Sequence, residues 1–326
     1  MKKNSFWKGK NVFVTGMTGF IGNWLVNELF NREANVFGLI KDFQSLKFYQ
    51  KNFIDNGLNI IEGKIEDLDI LLNTIETNSI DTVFHLASKN INIGMKLSPF
   101  TTFETNIRGT YNILEAIRTQ KTRPSIILAS SMEVGRNGNK VFNNKIRHPY
   151  ETSKSCVEII ANSYADTFNL NLAIMRSENV YGGADLNWNR LIPGTIKSLN
   201  NLERPMIRSG GRMLRDYIYV VDAIEAYLCL GEFIESNNLK NKVINLCSDN
   251  TLTALDIVEN ISQIMDVGYL KPIITDESFD ERSHSIDMGQ NAKDLLGWSS
   301  QFDIYAGLTQ TIKWFNHYFS SIKKVK

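Results

Sequence analysis

The residues Thr15-Gly16-Met17-Thr18-Gly19-Phe20-Ile21-Gly22 constrain this chain more than any other segment. Three glycines spaced three apart follow the β-branched run 11–15 and open a stretch of helical period, so the loop joins a strand to a helix. Glycine there permits a tight turn and lets backbone N–H groups approach an anion. The helix N-terminus adds partial positive charge, so the ligand this loop suits is a pyrophosphate. Asp42 ends the second apolar run, twenty residues past Gly22, where a carboxylate bonds both hydroxyls of an adenosine ribose. Together these features predict a dinucleotide site and favour NAD. Lys41 beside Asp42 suits a 2′-phosphate, which keeps NADP as the alternative.

Short runs rich in β-branched and aromatic residues recur at 11–15, 35–40, 58–62, 82–86, 125–130 and 171–176. Between them lie 20–32, 66–77, 99–119 and 149–167, each with apolar residues every three or four positions. This alternation predicts an α/β fold, with residues 1–178 forming a Rossmann-type doubly wound parallel sheet. Beyond that point the spacing loosens. We expect a smaller, mostly C-terminal α/β substrate-binding region over 179–326, with the run 242–247 returning as a strand to the first domain. A length of 326 residues accommodates two such domains.

Basic and acidic residues nearly cancel, 36 against 35, so the charge calls for neither nucleic acid nor a membrane surface as a partner. The most apolar segment, 217–234, is broken by Asp222, Glu225 and Glu232 and does not read as a span. The basic start Met1-Lys2-Lys3 is followed only by the short apolar run 12–14, so no export signal is read. Cys156, Cys229 and Cys247 are odd in number and lack CxxC spacing, which speaks against a disulfide framework or a zinc site and for the reducing cytoplasm. The four histidines show no metal-ligand spacing, and no metal is expected.

The segment His148-Pro149-Tyr150-Glu151-Thr152-Ser153-Lys154 places Tyr150 and Lys154 four apart at the start of a helix, hence on one face. A tyrosine with its ordinary pKa near 10 is a poor base at neutral pH, and a nearby ammonium stabilises its phenolate. Such a tyrosine removes a proton from a sugar hydroxyl while the carbon beneath gives up hydride. The fifth strand runs into Ser130-Ser131-Met132-Glu133 at the sheet's carboxyl edge, where Ser131 can orient the substrate oxygen.

With His85-Leu86-Ala87, the box Asn106-Ile107-Arg108-Gly109-Thr110 and Arg215-Asp216-Tyr217-Ile218-Tyr219-Val220, these motifs resemble the extended short-chain dehydrogenase/reductase family of NAD-dependent nucleotide-sugar epimerases and dehydratases. The resemblance covers essentially the whole chain. Phe6-Trp7-Lys8-Gly9-Lys10, Asn179-Val180-Tyr181-Gly182-Gly183-Ala184-Asp185 and Arg190-Leu191-Ile192-Pro193 are most similar to its CDP-glucose 4,6-dehydratase-like branch. The resemblance implies cofactor contacts from Gly16, Thr18, Gly19, Phe20, Ile21, Gly22, Asp42, Ile65, Leu86, Ala87, Ser88, Tyr150 and Lys154. It implies catalysis by Ser131, Glu133, Tyr150 and Lys154. A nucleotide-diphosphate sugar would be bound by Asn179, Arg190, Leu191, Arg215 and Arg282, the arginine forks matching a diphosphate. Asn106 belongs to the same substrate-side set, although on a helix it is expected to bond backbone near the tyrosine. The family also implies a homodimer through 99–119 and 149–167, and a place in cell-surface polysaccharide synthesis.

Two positions depart from the family. Its dehydratases follow the catalytic Ser or Thr with an acidic residue, and here Met132 stands before Glu133. Dehydration needs a base for the C5 proton and an acid for the departing C6 hydroxyl, and a lost positioned acid costs ~10²- to 10⁴-fold. The family's Asp after the third strand's glycine is Lys64, after Gly63. In addition, the loop from Gly135 to Tyr150 reads as shortened. The reading that best accommodates the motifs is a 4,6-dehydratase. The alternatives are a 4-epimerase or 4-keto reductase, and, of another class, a non-catalytic dinucleotide-binding scaffold.

Overall fold

The apolar run at the head of the chain becomes a central strand in the computed structural model, which describes residues 5–43, 57–89, 98–134, 148–208, 210–237, 242–248, 250–275 and 290–323. In chain order the strands are β1 (Asn11–Thr15), β2 (Asn35–Ile40), β3 (Asn59–Glu62), β4 (Thr82–His85), β5 (Ser125–Ser131), β6 (Leu172–Ser177), β7 (Asn179–Tyr181), β8 (Met206–Ile207), β9 (Leu214–Tyr219), β10 (Lys242–Leu246), β11 (Thr251–Thr253), β12 (Ile273–Ile274) and β13 (Gln290–Asn291). The helices are α1 (Phe20–Asn31), α2 (Leu68–Thr77), α3 (Pro99–Phe103), α4 (Gly109–Arg118), α5 (Pro149–Phe168), α6 (Leu191–Asn200), α7 (Val220–Asn237), α8 (Ala254–Ile264), α9 (Ala292–Leu296) and α10 (Ile304–Lys323). No helix among the described residues is long and apolar enough to cross a membrane.

The main sheet has the order β3-β2-β1-β4-β5-β6-β10-β13. The direction of chain progression reverses between β1 and β4, the switch point at which doubly wound sheets bind ligands outside their carboxyl ends. β1 runs parallel to β2 and β4, and β4, β5 and β6 continue in the same sense. Thr15 pairs with His85, whereas His85 pairs with Leu128, so β5 runs three residues beyond β4, roughly 10 Å, before ending at Ser131. Phe13, Leu71, Val83, Ile113, Leu114, Ile126 and Leu172 pack one side of this sheet against α2 and α4 and are fully buried. Each such side chain contributes about 1.5–3 kcal/mol.

Local signals start and stop the helices. Asp67 accepts from the N–H groups of Asp69 and Ile70 to begin α2. Ser98 before Pro99 and His148 before Pro149 do the same for α3 and α5, and Asn169, with φ 57°, ends α5 in the left-handed region. Residues 99–119 are not the single α-helix that their spacing predicts. Glu104–Arg108, between α3 and α4, forms a π turn that brings Asn106 into the interior.

The chain divides into two compact units, one of Met1–Ser177, Ile224–Asn245 and Ser285–Trp298, the other of Glu178–Ala223, Leu246–His284 and Ser299–Lys326. In the second, β9 lies between β7, parallel to it, and β11, antiparallel. Leu308, Ile312 and Phe315 of α10 are buried, and Trp314 stacks on Tyr318 with centroids 5.3 Å apart. Tyr305, in the first turn of α10, is 55% exposed.

Candidate active site

Gly16 has φ +74°, and a Cβ on it would lie 2.6 Å from the Ala87 nitrogen. Only glycine lets the end of β1 close on the chain leaving β4, and the contact is sealed by Leu86 N–H donating to the Thr15 carbonyl at 3.1 Å. Gly22 is equally confined, because a Cβ there would sit 2.2 Å from the Gly16 carbonyl oxygen. Gly19 is the N-cap of α1 and offers no side chain to its first N–H groups. Those uncapped donors at a helix N-terminus fit a pyrophosphate. Asp42 is exposed two residues past β2, beside the exposed Lys41. The Ile65 side chain packs on Gly109, while Leu86 and Ala87 are half-buried and Ser88 is exposed at the mouth of β4.

Below this loop a buried chain of hydrogen bonds leads to the helix that carries Tyr150. The His85 ring meets the Thr15 hydroxyl at Nδ1 (2.8 Å) and that of Thr110 at Nε2 (3.1 Å). Thr110 spends its proton on the Asn106 carbonyl at 2.6 Å, so Nε2 is the protonated nitrogen and Nδ1 accepts from Thr15. Burial, reinforced by the charge of Lys154, pushes the imidazole down to about 3, and His85 is neutral. The Asn106 amide accepts from Lys89 N–H at 2.7 Å and donates to the Lys89 carbonyl and the Ser153 hydroxyl. Ser153 in turn donates to the carbonyl of Tyr150 at 2.7 Å. With both amide donors spent and 1% exposure, Asn106 holds the Lys89 backbone and the Ser153 hydroxyl. Thr15, Thr110 and Ser153 stand inside the sequence motifs with no role assigned to them there, and the four-residue step from Asn106 marks Thr110 alone.

Ser131 is the last residue of β5, and its Oγ accepts from Glu133 N–H at 3.3 Å. Met132 donates its N–H to the Ser177 carbonyl on β6 at 3.2 Å. Tyr150 is half-buried in the first turn of α5. Lys154 is 5% exposed; its ammonium donates to the Ala129 carbonyl at 2.8 Å and lies 5.9 Å from the centre of the Tyr150 ring. Burial brings this lysine down to about 8, against an opposing pull from Glu158. An ammonium held over a phenol ring favours the phenolate, and this arrangement can therefore run proton abstraction from an alcohol.

In the second unit, Asn179 on β7 donates to the Asp216 carbonyl on β9 at 3.1 Å, and Arg215 lies 3.7 Å from Glu178. Arg190, half-exposed, pairs with the buried Asp185 at 3.1 Å, and Leu191 begins α6. Arg282 and most of the loop after Val134 lie outside the described residues.

A sheet in 3-2-1-4-5-6 order, a glycine turn at its switch point and a Tyr/Lys pair beside the end of β5 define a Rossmann-type, dinucleotide-dependent enzyme. The class narrows on comparison with known proteins. The model of the NAD dependent epimerase/dehydratase family matches residues 12–247, and the chain belongs to that family, whose members include both nucleotide-sugar dehydratases and 4-epimerases. It is 25% identical to CDP-glucose 4,6-dehydratase of Salmonella typhimurium, over 96% of this chain and 92% of the relative. It is 26% identical to UDP-glucuronate 4-epimerase of Thermodesulfobacterium geofontis, over 96% and 98%. The crystal structure of dTDP-glucose 4,6-dehydratase from Bacillus anthracis in complex with NAD shares the fold, with a TM-score of 0.81 at 20% identity, covering 98% of this chain and 100% of that one.

Proposed function

We propose that the protein oxidises C4 of a nucleotide-activated hexose and acts as a nucleotide-sugar 4,6-dehydratase. The observation that carries this reading is the buried Lys154 ammonium beside the Tyr150 ring, tied to the Ala129 carbonyl of β5. Gly16, Thr18, Gly19, Phe20, Ile21, Gly22, Asp42, Ile65, Leu86, Ala87 and Ser88 would hold NAD, with Lys154 and Tyr150 at its nicotinamide ribose. Bound there, NAD would supply the redox chemistry, as acceptor and then donor of the C4 hydride. Tyr150 takes the C4 hydroxyl proton, Lys154 keeps its phenolate stable, and Ser131 fixes the hydroxyl by hydrogen bonding. Glu133, at the turn after Ser131, is the base for the C5 proton. The first unit serves the dinucleotide. In the second unit Asn179, Arg190, Leu191 and Arg215, with Arg282, serve the diphosphate and sugar.

One observation favours a second reading. Met132 occupies the place of the family's dehydratase acid, its N–H is tied to Ser177, and its side chain has no proton to give the C6 hydroxyl. A 4-epimerase or 4-keto reductase needs no such acid. Incubation with NAD and a panel of nucleotide-hexoses, followed by product mass, separates these readings. Loss of one water identifies the dehydratase, and unchanged mass with inverted C4 identifies the epimerase. Consumption of a 4-keto sugar only with reduced cofactor identifies the reductase. Phe100, Tyr111 and Ile159 are 68%, 39% and 49% exposed on α3, α4 and α5. They support a homodimer through these helices, which light scattering tests.

A further inference from the structure

The end of β5 is gripped twice by the helix that carries Tyr150. Lys154 donates to the Ala129 carbonyl at 2.8 Å, and Glu158, one turn further along α5, accepts from the Ser130 hydroxyl at 2.5 Å. Side chains four apart on a helix share a face, so the two grips fall on consecutive strand residues, the pair immediately before Ser131. The same carboxylate is held by Arg176, whose Nε and Nη2 donate to Oε1 and Oε2 at 2.9 and 2.6 Å. Arg176 stands opposite Ser130 in the β5–β6 register, so neighbouring strands converge on one carboxylate. Ser130, Glu158 and Arg176 are all buried, at 6%, 5% and 7% exposure. Two buried charges carry a desolvation penalty that apolar side chains of equal volume avoid, so stability alone does not account for the pair. What distinguishes its place in the fold is the neighbouring Lys154.

We infer that Glu158 is a positioning residue for hydride transfer, the buried counter-charge that keeps Lys154 an ammonium beside Tyr150, and that Arg176 sets how much of that negative charge Lys154 feels. The inference rests on the roles proposed above for Tyr150 and Lys154. Burial brings Lys154 down to about 8, which leaves its proton sensitive to one nearby carboxylate, and Glu158 is the group that opposes the loss. Among the described residues, the ionisable groups that interact with Lys154 are Tyr150 and Glu158 on its own helix and the neutral His85 from β4, and Arg176 from β6 pairs with Glu158. β5 presents a backbone carbonyl. While Tyr150 carries its proton, Glu158 is the member of this set that favours the ammonium. Its three donors fix it in place, so the counter-charge and the strand end that bears Ser131 are positioned by the same contacts.

The Lys154 proton is followed by NMR of the whole protein labelled with ¹³C-lysine, without cofactor or substrate, and Lys154→Arg assigns the signal. Wild-type Lys154 is expected to titrate near pH 8. Glu158→Gln lowers the midpoint by about one unit and Arg176→Met raises it, the opposite signs following from the opposite charges removed. Glu158→Asp, which keeps the charge, restores most of the shift. The alkaline limb of turnover moves in the same direction as each midpoint, on whichever nucleotide-hexose the protein converts. If a single variant fails to fold, E158Q combined with R176M removes both charges, and the midpoint still falls because the pull that favours the Lys154 ammonium comes from Glu158. Wild-type midpoints in all folded variants overturn the inference and leave the cluster a purely structural role. Absence of turnover with every nucleotide-hexose overturns the proposed function instead, and the NMR comparison still decides the role of Glu158.

Discussion

Replacing Gly16 by alanine tests how the glycine loop is built, because its neighbour in the same motif, Gly19, provides an internal control. At φ +74° an L-residue pays about 1–2 kcal/mol for the left-handed conformation. The added Cβ would lie 2.6 Å from Ala87 N and 2.7 Å from Leu86 C, backbone atoms that cannot swing aside, and overpacking of this kind costs about 1–3 kcal/mol. The sum, about 2–5 kcal/mol, corresponds to a melting point lowered by roughly 5–15 °C for a unit of this size. Gly19 has φ −78°, and its added Cβ would meet one atom, the Gly16 carbonyl oxygen at 3.2 Å. Gly19→Ala therefore costs below about 1 kcal/mol. Thermal unfolding followed by circular dichroism without cofactor measures both variants. NAD at about a hundredfold excess over its dissociation constant adds about 2.7 kcal/mol to the wild type, and Gly16→Ala should lose that gain. If Gly16→Ala melts within a degree of the wild type, the close approach of β1 to the chain leaving β4 is not what the structure makes it.

His85 binds no proton in the folded state until about pH 3, whereas the unfolded chain binds one near 6.5. Its contribution to stability is thus present above pH 6.5 and is lost as pH falls toward 3. Urea unfolding of His85→Gln should show a shallower loss over that range, by up to about 1.4 kcal/mol per pH unit; parallel curves would refute the neutral, doubly bonded ring. If the missing acid limits dehydration, Met132→Asp should raise the rate of water loss by ~10²-fold or more, read from product mass, and an unchanged rate would mean that another group already protonates the leaving hydroxyl.

The elements that the sequence shows most clearly are those whose signals are local. The strand-to-helix turn at Gly16–Gly22, the buried strands β1, β4, β5 and β6, and the proline-started α5 follow from glycine spacing, β-branched runs and caps. Strand ends moved by a residue, and that single step makes Ser131 the last residue of β5. Features created by contacts distant in sequence were not legible. The π turn at Glu104–Arg108 exists because Asn106 turns inward to Lys89 and Ser153, and apolar periodicity reads straight through it. Glu158 looks like one more polar position on α5 until β6 brings Arg176 to it. The two-residue strands β8, β12 and β13 are too short to carry a pattern of their own.

The central claim, that Tyr150 and Lys154 serve hydride transfer at C4, is tested most directly with a nucleotide-hexose deuterated at C4. Single-turnover conversion by the wild type should be slowed by a primary isotope effect and end with the deuterium at C6 of a dehydrated product or back at C4 of an epimer. Tyr150→Phe should abolish both. Conversion at equal rates with and without the label, or undiminished conversion by Tyr150→Phe, would contradict it.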